Sequence, residues 1–160
     1  MDADERTALA IERLYRERAA AFTRMAAAIA GPGACADAVQ EGFARAYARR
    51  ATYRGDGSLA GWVWRIVLRA ALDARGAPAT AELEDVLALP FPERDPELAT
   101  ALRALAPRRR TVVFLRYFAD LSLTEIAQIL GIAEGTVSAT LAQARAELHA
   151  ALADDAEVST

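Results

Sequence analysis

Hydroxyl and amide side chains line the segment 134–143 at a spacing that suits a helix lying against DNA. Thr136, Ser138, Thr140 and Gln143 can each hydrogen-bond phosphate oxygens or base edges, and glutamine can pair with adenine. With Glu134 and Ala139 they make up the exposed face that a helical period predicts. Positive charge, which dominates affinity for nucleic acid, is scarce here, so phosphate contact would need help from neighbouring arginines. These are Arg108, Arg109, Arg110, Arg116 and Arg145.

A glycine-rich loop at 53–58 carries a different chemistry. Gly55 and Gly57 would let the backbone approach a flipped base closely, and Asp56 and Ser58 have side chains that can read its polar edge. This loop is therefore a candidate site for an unstacked nucleotide.

The helix expected after this loop contains two tryptophans and two arginines. Trp64 with Arg65 and Arg69 suits an aromatic and cationic platform for unstacked bases. Trp62 and Trp64 are two residues apart, so they do not share one face of a helix. The alternative is that one or both of these tryptophans lie in the hydrophobic core.

A polar stripe of Asp37, Gln40, Glu41 and Arg45 follows the helical spacing of the segment 35–50. The apolar residues of the same segment are expected to lie towards the core: Val39, Phe43, Ala46 and Tyr47. The stripe is either a solvated face or a face on which a partner docks.

Metal-dependent and nucleophilic chemistry have little support in the composition. Cys35 is the only cysteine and His149 the only histidine, and they lie on differently patterned segments. A Cys/His zinc cage and a Ser-His-Asp triad are therefore improbable, and no intrachain disulfide can form. We expect no metal, no cofactor and no enzymatic activity. The single cysteine and the lack of a secretory or membrane-spanning segment predict a cytoplasmic protein.

Charge is unevenly distributed along the 160 residues, whose formal net charge is −3. Residues 1–76 contain 12 arginines and 9 acidic residues, whereas 77–97 contain 1 arginine and 6 acidic residues. A generic polyanion binder would be more basic than this.

The elements that must position these side chains are helices. In Leu121–Leu148 a short apolar helix, a permissive Gly131 and a second apolar period from Val137 predict a helix-turn-helix. The alternative is an αα-hairpin that only packs against a neighbour. Helical spacing also extends over 5–30, 35–50, 59–75 and 108–118, and Ser58 is a plausible N-cap.

Two helical units follow from this pattern. Residues 77–97 combine proline and acidic residues without a sustained period, which predicts a linker, although apolar residues such as Leu83 and Phe91 could form a short docking segment. The tail after 152 is expected to fray. The sequence thus predicts an all-α protein with two small domains, 1–76 and 98–152, joined by an acidic linker, the second containing the helix-turn-helix.

Three stretches, taken in order, resemble a bacterial RNA polymerase sigma factor of the extracytoplasmic-function (ECF) type. The resemblance covers nearly the whole chain. It is carried by CADAVQEGFARAYARR, YRGDGSLAGWVWRIVLRAALDARG and ALRALAPRRRTVVFLRYFADLSLTEIAQILGIAEGTVSATLAQAR.

The resemblance implies a role for each matching segment. Asp37, Gln40 and Glu41 would dock on the clamp helices of the polymerase β′ subunit. The loop of Gly55, Asp56, Gly57 and Ser58 would capture a flipped base of the −10 promoter element. The helix that follows this loop would recognise the −10 element and open its strands through Trp62, Trp64, Arg65 and Arg69. The start of the second helix of the helix-turn-helix would enter the −35 major groove. Glu134, Gly135, Thr136 and Val137 match the start of that helix, with Val137 itself in the core. The candidate −35 set adds the residues chosen above for their chemistry: Ser138, Thr140, Gln143, Arg109 and Arg110.

The resemblance also implies a function: a transcription initiation factor that binds core RNA polymerase, through β′ and the β flap, and directs it to specific promoters. The resemblance further implies an anti-sigma partner. The family usually continues past Thr-Val with Lys-Ser-Arg and further basic residues, where this chain has Ser138, Ala139 and Thr140. A degenerate sigma-like protein that binds polymerase or a regulator without promoter recognition is therefore the main alternative. A free-standing helix-turn-helix regulator is another, and an enzyme the weakest.

Overall fold

A computed structural model of the chain describes residues 1–78 and 95–158, with side chains described to Asp154. These residues form seven α-helices and no β-strand, as the all-α prediction requires. Most of the predicted linker 77–97, including Leu83 and Phe91, lies outside the described residues.

The N-terminal lobe consists of α1 (Ala3–Ala30), α2 (Cys35–Ala48) and α3 (Leu59–Ala74), with a short 3-10 turn at Arg50–Thr52. Its apolar faces meet in a core that contains Phe22, Met25, Val63, Trp64 and Val67. The close approach of α2 to α3 depends on Gly42, because a Cβ atom built there would lie 2.6 Å from the Cα of Val67.

The C-terminal lobe consists of α4 (Pro96–Ala104), α5 (Pro107–Val113), α6 (Leu123–Leu130) and α7 (Glu134–Val158). The helix predicted over 108–118 ends earlier, because Phe114–Phe118 form a π-helical turn. The predicted fraying after 152 is wrong for the backbone, since α7 continues to Val158.

The helix-turn-helix of α6 and α7 is confirmed. Ser122 and Glu125 form a capping box at the start of α6, and Gly131 ends it in the left-handed conformation at φ 66°. Val137 is fully buried, as predicted, and Leu141 and Ala144 follow it into the core on the same face of α7.

The two lobes lie in direct contact, a feature that the sequence did not predict. Helix α6 packs against α3, and the π-helical turn packs against α1. None of the described helices is both long and apolar enough to cross a membrane.

Candidate nucleic-acid interface

The loop before α3 has the backbone shape that its glycines permit. Gly55 and Gly57 adopt φ values of +78° and +95°, which are unfavourable for other residues. Tyr53 Oη donates a hydrogen bond of 2.8 Å to the carbonyl of Gly57, and Ser58 Oγ accepts one of 3.0 Å from the amide of Gly61. Ser58 is thereby confirmed as the N-cap of α3. Asp56 is exposed at the tip of the loop.

Ser58 also meets a residue of the other lobe. The backbone N–H and the Oγ of Ser58 each lie 3.2 Å from Gln128 Oε1, and Gln128 Nε2 donates to the carbonyl of Ser58 at 3.3 Å. Sequence reasoning missed Gln128, since a glutamine on a short amphipathic helix carries no local sign of a partner 70 residues away.

The prediction that Trp64 belongs to a DNA-facing platform is wrong for this structure. Its side chain is 0% exposed, and its ring stacks on Phe22 with centroids 3.8 Å apart. Arg18 covers the same ring at 5.7 Å from its centroid. Burial on the apolar face of α3 explains the difference: Trp64 shares that face with fully buried Val67, whereas Trp62 and Arg65 lie on other sides of the helix.

The residues of α3 that remain accessible form a smaller platform. Trp62 is half-buried beside Tyr53, with ring centroids 5.5 Å apart, and Arg65 is exposed. Arg69 is half-buried and donates to Asp73 at 2.8 Å and to the carbonyls of Ala77 and Pro78 at 3.2 Å. Arg69 is therefore held at the far end of α3 rather than beside the loop. Tyr53, which sequence reasoning did not single out, replaces Trp64 as the second aromatic ring.

A charged network ties α2 to α3 below this platform. Arg45 donates to Asp73 at 2.6 Å and to Glu41 at 2.8 Å. The hydrogen bond from Arg45, and then that from Arg69, hold the pKa of the Asp73 carboxyl below its usual value. The same bond to Asp73 raises the pKa of Arg45. Asp73 and Arg45 are therefore both charged at neutral pH.

The polar stripe of α2 faces solvent, with Asp37, Gln40 and Glu41 all exposed. Val39, Phe43 and Ala46 are buried as predicted, but the core position predicted for Tyr47 is wrong, since Tyr47 is 51% exposed. Instead, Tyr47 lines a groove of about 420 Å³ between α1 and α2, together with Ile11, Glu12, Tyr15, Gln40 and Phe43. An apolar groove therefore adjoins the polar stripe.

The N-terminal half of α7 presents the predicted polar face. The exposed residues there are Glu134, Gly135, Thr136, Ser138, Ala139 and Gln143, and Thr140 is half-buried. Thr140 Oγ1 donates to the carbonyl of Thr136 at 2.7 Å, and Gln143 Oε1 accepts from Arg109 at 3.3 Å. Two of the four candidate hydrogen-bonding side chains are thus already engaged within the protein.

The arginines expected to supply phosphate contacts are also engaged. Arg109 forms an ion pair of 2.8 Å with Glu147, and Arg110 donates to the carbonyl of Arg103 at 3.3 Å. Arg116 donates to the carbonyl of Leu121 at 2.8 Å, and Arg145 Nε to Tyr117 Oη at 2.9 Å. Contact of these guanidinium groups with DNA would compete with these intramolecular bonds.

Within residues 1–78 and 95–158, no group of three or more His, Cys, Asp or Glu side chains is placed to hold a metal ion. The chemistry that these surfaces offer is hydrogen bonding, stacking and charge pairing.

Comparison with protein families places two models on the chain, one on each lobe. The model "Sigma-70 region 2" matches residues 11–77, and the model "Sigma-70, region 4" matches residues 96–148. The first covers α2, the loop and α3, and the second covers the helix-turn-helix.

Several curated proteins are similar to the chain. The ECF RNA polymerase sigma factor SigM of Mycobacterium tuberculosis is 35% identical over 122 residues, which cover 70% of this chain and 61% of SigM. The sigma factor SigV of Bacillus subtilis is 31% identical over 68% of this chain and 69% of its own length. The sigma-E factor of Streptomyces coelicolor is 30% identical over 88% of this chain and 85% of its own. The chain thus spans about three fifths of the length of the Mycobacterium relative and more of the others.

Solved structures share the fold. CnrH, determined in complex with the cytosolic domain of CnrY, aligns with a TM-score of 0.64 and 26% identity over 96% of this chain and 99% of CnrH. The sigma factor RpoE of Bartonella quintana, determined with the anti-sigma factor NepR, aligns with a TM-score of 0.54 and 18% identity, covering 88% of this chain and 95% of RpoE.

Proposed function

The chain belongs to the sigma-70 family of RNA polymerase sigma factors, in its ECF group, and from this we propose that it is a transcription initiation factor. It binds core RNA polymerase and directs it to a subset of promoters. The observation that carries this proposal is the order of the two matched regions, each on its own helical lobe with its candidate DNA-contacting element formed.

We assign the −10 element to the N-terminal lobe. The loop 55–58 would hold a flipped base, because its positive-φ glycines leave the backbone open and Asp56 is exposed beside it. Trp62, Tyr53 and Arg65 would stack on and neutralise the adjoining single strand.

We assign polymerase docking to α2. Gln40 lines the groove that contains Tyr15 and Tyr47, and the exposed carboxylates of Asp37 and Glu41 lie on the same helix as Gln40. A polar edge beside an apolar groove suits a helical partner surface, for which we propose the β′ clamp helices.

The C-terminal lobe would contact the β flap and the −35 element through the exposed face of α7. This face carries little positive charge, and Arg109 beside it forms an ion pair with Glu147. Because the holoenzyme tethers both lobes, modest affinity at each element combines through effective concentration. By analogy with CnrH, which was solved with the cytosolic domain of CnrY, we also propose a regulatory protein partner. This function would be carried out in the cytoplasm.

Run-off transcription with core polymerase on fragmented genomic DNA tests the proposal. Wild-type protein should yield discrete transcripts whose mapped starts share a −10 sequence. Asp56→Ala should abolish these transcripts without weakening binding to core polymerase. Glu17→Ala, which removes an exposed carboxylate elsewhere on the same lobe, is the matched control and should leave both unchanged. Absence of any promoter-selective transcript would refute the proposal.

A second candidate, a sigma-like protein that binds polymerase or a regulator without reading promoters, is favoured by one observation. Between Glu134 and Asp154, Arg145 is the single basic residue apart from His149, and its guanidinium is bonded to Tyr117. Stable binding to core polymerase combined with no promoter-selective transcript would establish this alternative.

A further inference from the structure

One end of the surface assigned to base capture, at Ser58, is covered by the other lobe, while Gly55, Asp56 and Gly57 are exposed. Gln128 of α6 contacts the backbone N–H, the Oγ and the carbonyl of Ser58 at 3.2–3.3 Å. A base held by the loop through these same polar atoms would have to displace the Gln128 amide. Contact between the lobes and base capture at Ser58 are therefore mutually exclusive.

Two glycines make room for the Gln128 side chain. A Cβ atom built on Gly61 would lie 2.3 Å from Gln128 Oε1 and 2.6 Å from its Cδ, and one on Gly57 would lie 3.1 Å from Nε2. The positive φ of Gly57 accounts for glycine there in any case. Gly61 is different: it lies in a regular helix, where glycine is less favourable than alanine. Its small size is explained by the space that Gln128 and, at 3.1 Å, Ser58 Oγ occupy.

A second contact, on α1, holds the same two lobes together. Arg18 Nη1 forms an ion pair of 2.9 Å with Glu125, and Arg18 Nη2 donates to the carbonyl of Asp120. Both side chains of the ion pair are mostly buried, at 22% and 10% exposed. Arg24 Nε adds a hydrogen bond of 2.7 Å to the carbonyl of Phe118.

The backbone on both sides of this contact departs from regular geometry. Arg18 has non-helical dihedral angles (φ −127°, ψ 16°) within α1, and Asp120 has a φ of 57°. Non-glycine residues adopt positive φ infrequently and at some energetic cost. Bonds from one guanidinium to Glu125 and to the Asp120 carbonyl join these two irregular positions.

We propose that Gln128 and the Arg18–Glu125 ion pair form a two-point latch that keeps the lobes closed and Ser58, at the end of the loop 55–58, covered until the lobes separate. The latch itself is a property of the free protein, whereas its effect on DNA rests on the function proposed above. Because only the open form can capture a base, the apparent affinity for single-stranded DNA is lowered in proportion to the open fraction.

Single-molecule energy transfer measures the latch without reference to transcription. Dyes are placed on Ala44→Cys in α2 and Ala146→Cys in α7, both exposed, in a Cys35→Ala background. Gln128→Ala and Arg18→Ala should each increase the ratio of open to closed molecules about 5- to 30-fold, the factor that corresponds to loss of one or two ordinary interactions.

Matched controls use residues of the same type that do not bridge the lobes. Arg16→Ala removes an exposed arginine paired with Glu12 on its own helix, and Gln143→Ala removes a glutamine bonded to Arg109 within the C-terminal lobe. Both should leave the distribution of transfer efficiencies unchanged. Latch variants that are as closed as wild type would overturn the proposal.

Gly61→Ala opens the latch from the other side. Its Cβ would expel the flexible end of Gln128, so the lobes should separate while α3 keeps or gains stability. In a Gln128→Ala background the same substitution should not separate the lobes further, because the Gln128 atoms that its Cβ would meet at 2.3 and 2.6 Å are gone. Opening by Gly61→Ala regardless of the residue at 128 would refute the assigned contact.

A second readout separates the latch from the proposed function. A pool of short random-sequence single-stranded DNA should bind the opened Gln128→Ala variant about 5- to 30-fold more tightly than wild type. Opening of the lobes with no gain in DNA binding would overturn the base-capture role of the loop and leave the latch standing.

Discussion

Replacing Trp64 distinguishes a core residue from a DNA-contacting one. Its side chain is fully buried and stacks on Phe22, with ring centroids 3.8 Å apart. Trp64→Ala should lower the free energy of unfolding by about 3–5 kcal/mol, the range for truncating buried aromatic side chains. About 0.5–1.5 kcal/mol of this loss reflects the ring pair beyond its buried area.

Trp64→Phe is the informative companion, since the indole Nε1 is buried and, among the described residues, has no hydrogen-bond partner. Phenylalanine removes that unsatisfied donor, whose burial costs about 1–3 kcal/mol, and leaves a smaller ring in the same place. Loss of the unsatisfied donor raises the free energy of unfolding, whereas the poorer packing of the smaller ring lowers it. The net change should therefore be less than about 1.5 kcal/mol.

Urea denaturation followed by circular dichroism measures these changes, and single-stranded DNA binding is measured where every variant is folded. Half-buried Trp62 is the contrast: Trp62→Ala should cost about 1–2 kcal/mol of stability, in keeping with partial burial, but should weaken DNA binding strongly. If Trp64→Ala left the stability of the protein intact and abolished DNA binding alone, the assignment of Trp64 to the core would be refuted.

Three further changes test the packing, the −35 face and the charged network. Gly42→Ala should lower the unfolding free energy by about 1–3 kcal/mol in urea denaturation, because its Cβ meets the backbone of Val67; an unchanged midpoint would contradict the packing described. Arginines introduced at Ser138 and Thr140 should steepen the dependence of log K on log salt for holoenzyme on promoter DNA by about 1.8, whereas an unchanged slope would mean that α7 does not lie on DNA. Asp73→Asn should lower the free energy of unfolding by less than about 1 kcal/mol at pH 7, since the Asp73 side chain is 40% exposed. Its folded-state pKa is lowered, so this contribution is present above the unfolded pKa of about 3.9 and is lost as pH falls through the folded value. The difference in stability between wild type and variant should therefore shrink progressively as pH falls below about 4, and a gap that widens there would contradict the sign.

Local chemistry explains which parts of the fold were predictable. Ser58 caps α3, Gly131 adopts the left-handed conformation after α6, and Val137 enters the core, each as the residue pattern predicted. Capping, turn conformation and helical periodicity involve residues within about four positions of each other, so the printed sequence contains the whole interaction.

The candidate site was less predictable because residues of one helix were divided between core and surface by its neighbours. Trp62 and Trp64 have the same chemistry and lie two residues apart on α3, yet Trp64 is buried against Phe22 of α1 whereas Trp62 is half-buried. Tyr47 lies on the apolar side of α2, but it is left at the edge of a groove. Periodicity identifies the apolar face and not the extent to which another helix covers it.

The sequence by itself determined the all-α class, the N-cap at Ser58, the turn at Gly131 and the two regions that identify the family, because these depend on local pattern and on motif order. Only the tertiary structure decided that Trp64 is core, that Arg109 is paired with Glu147, and that Gln128 and Arg18 join the lobes. The partners in the last two contacts are 70 and 107 residues apart. Side chains so distant in the chain meet only when packing of the apolar faces brings their helices together, and it is that packing which covers Ser58 with Gln128.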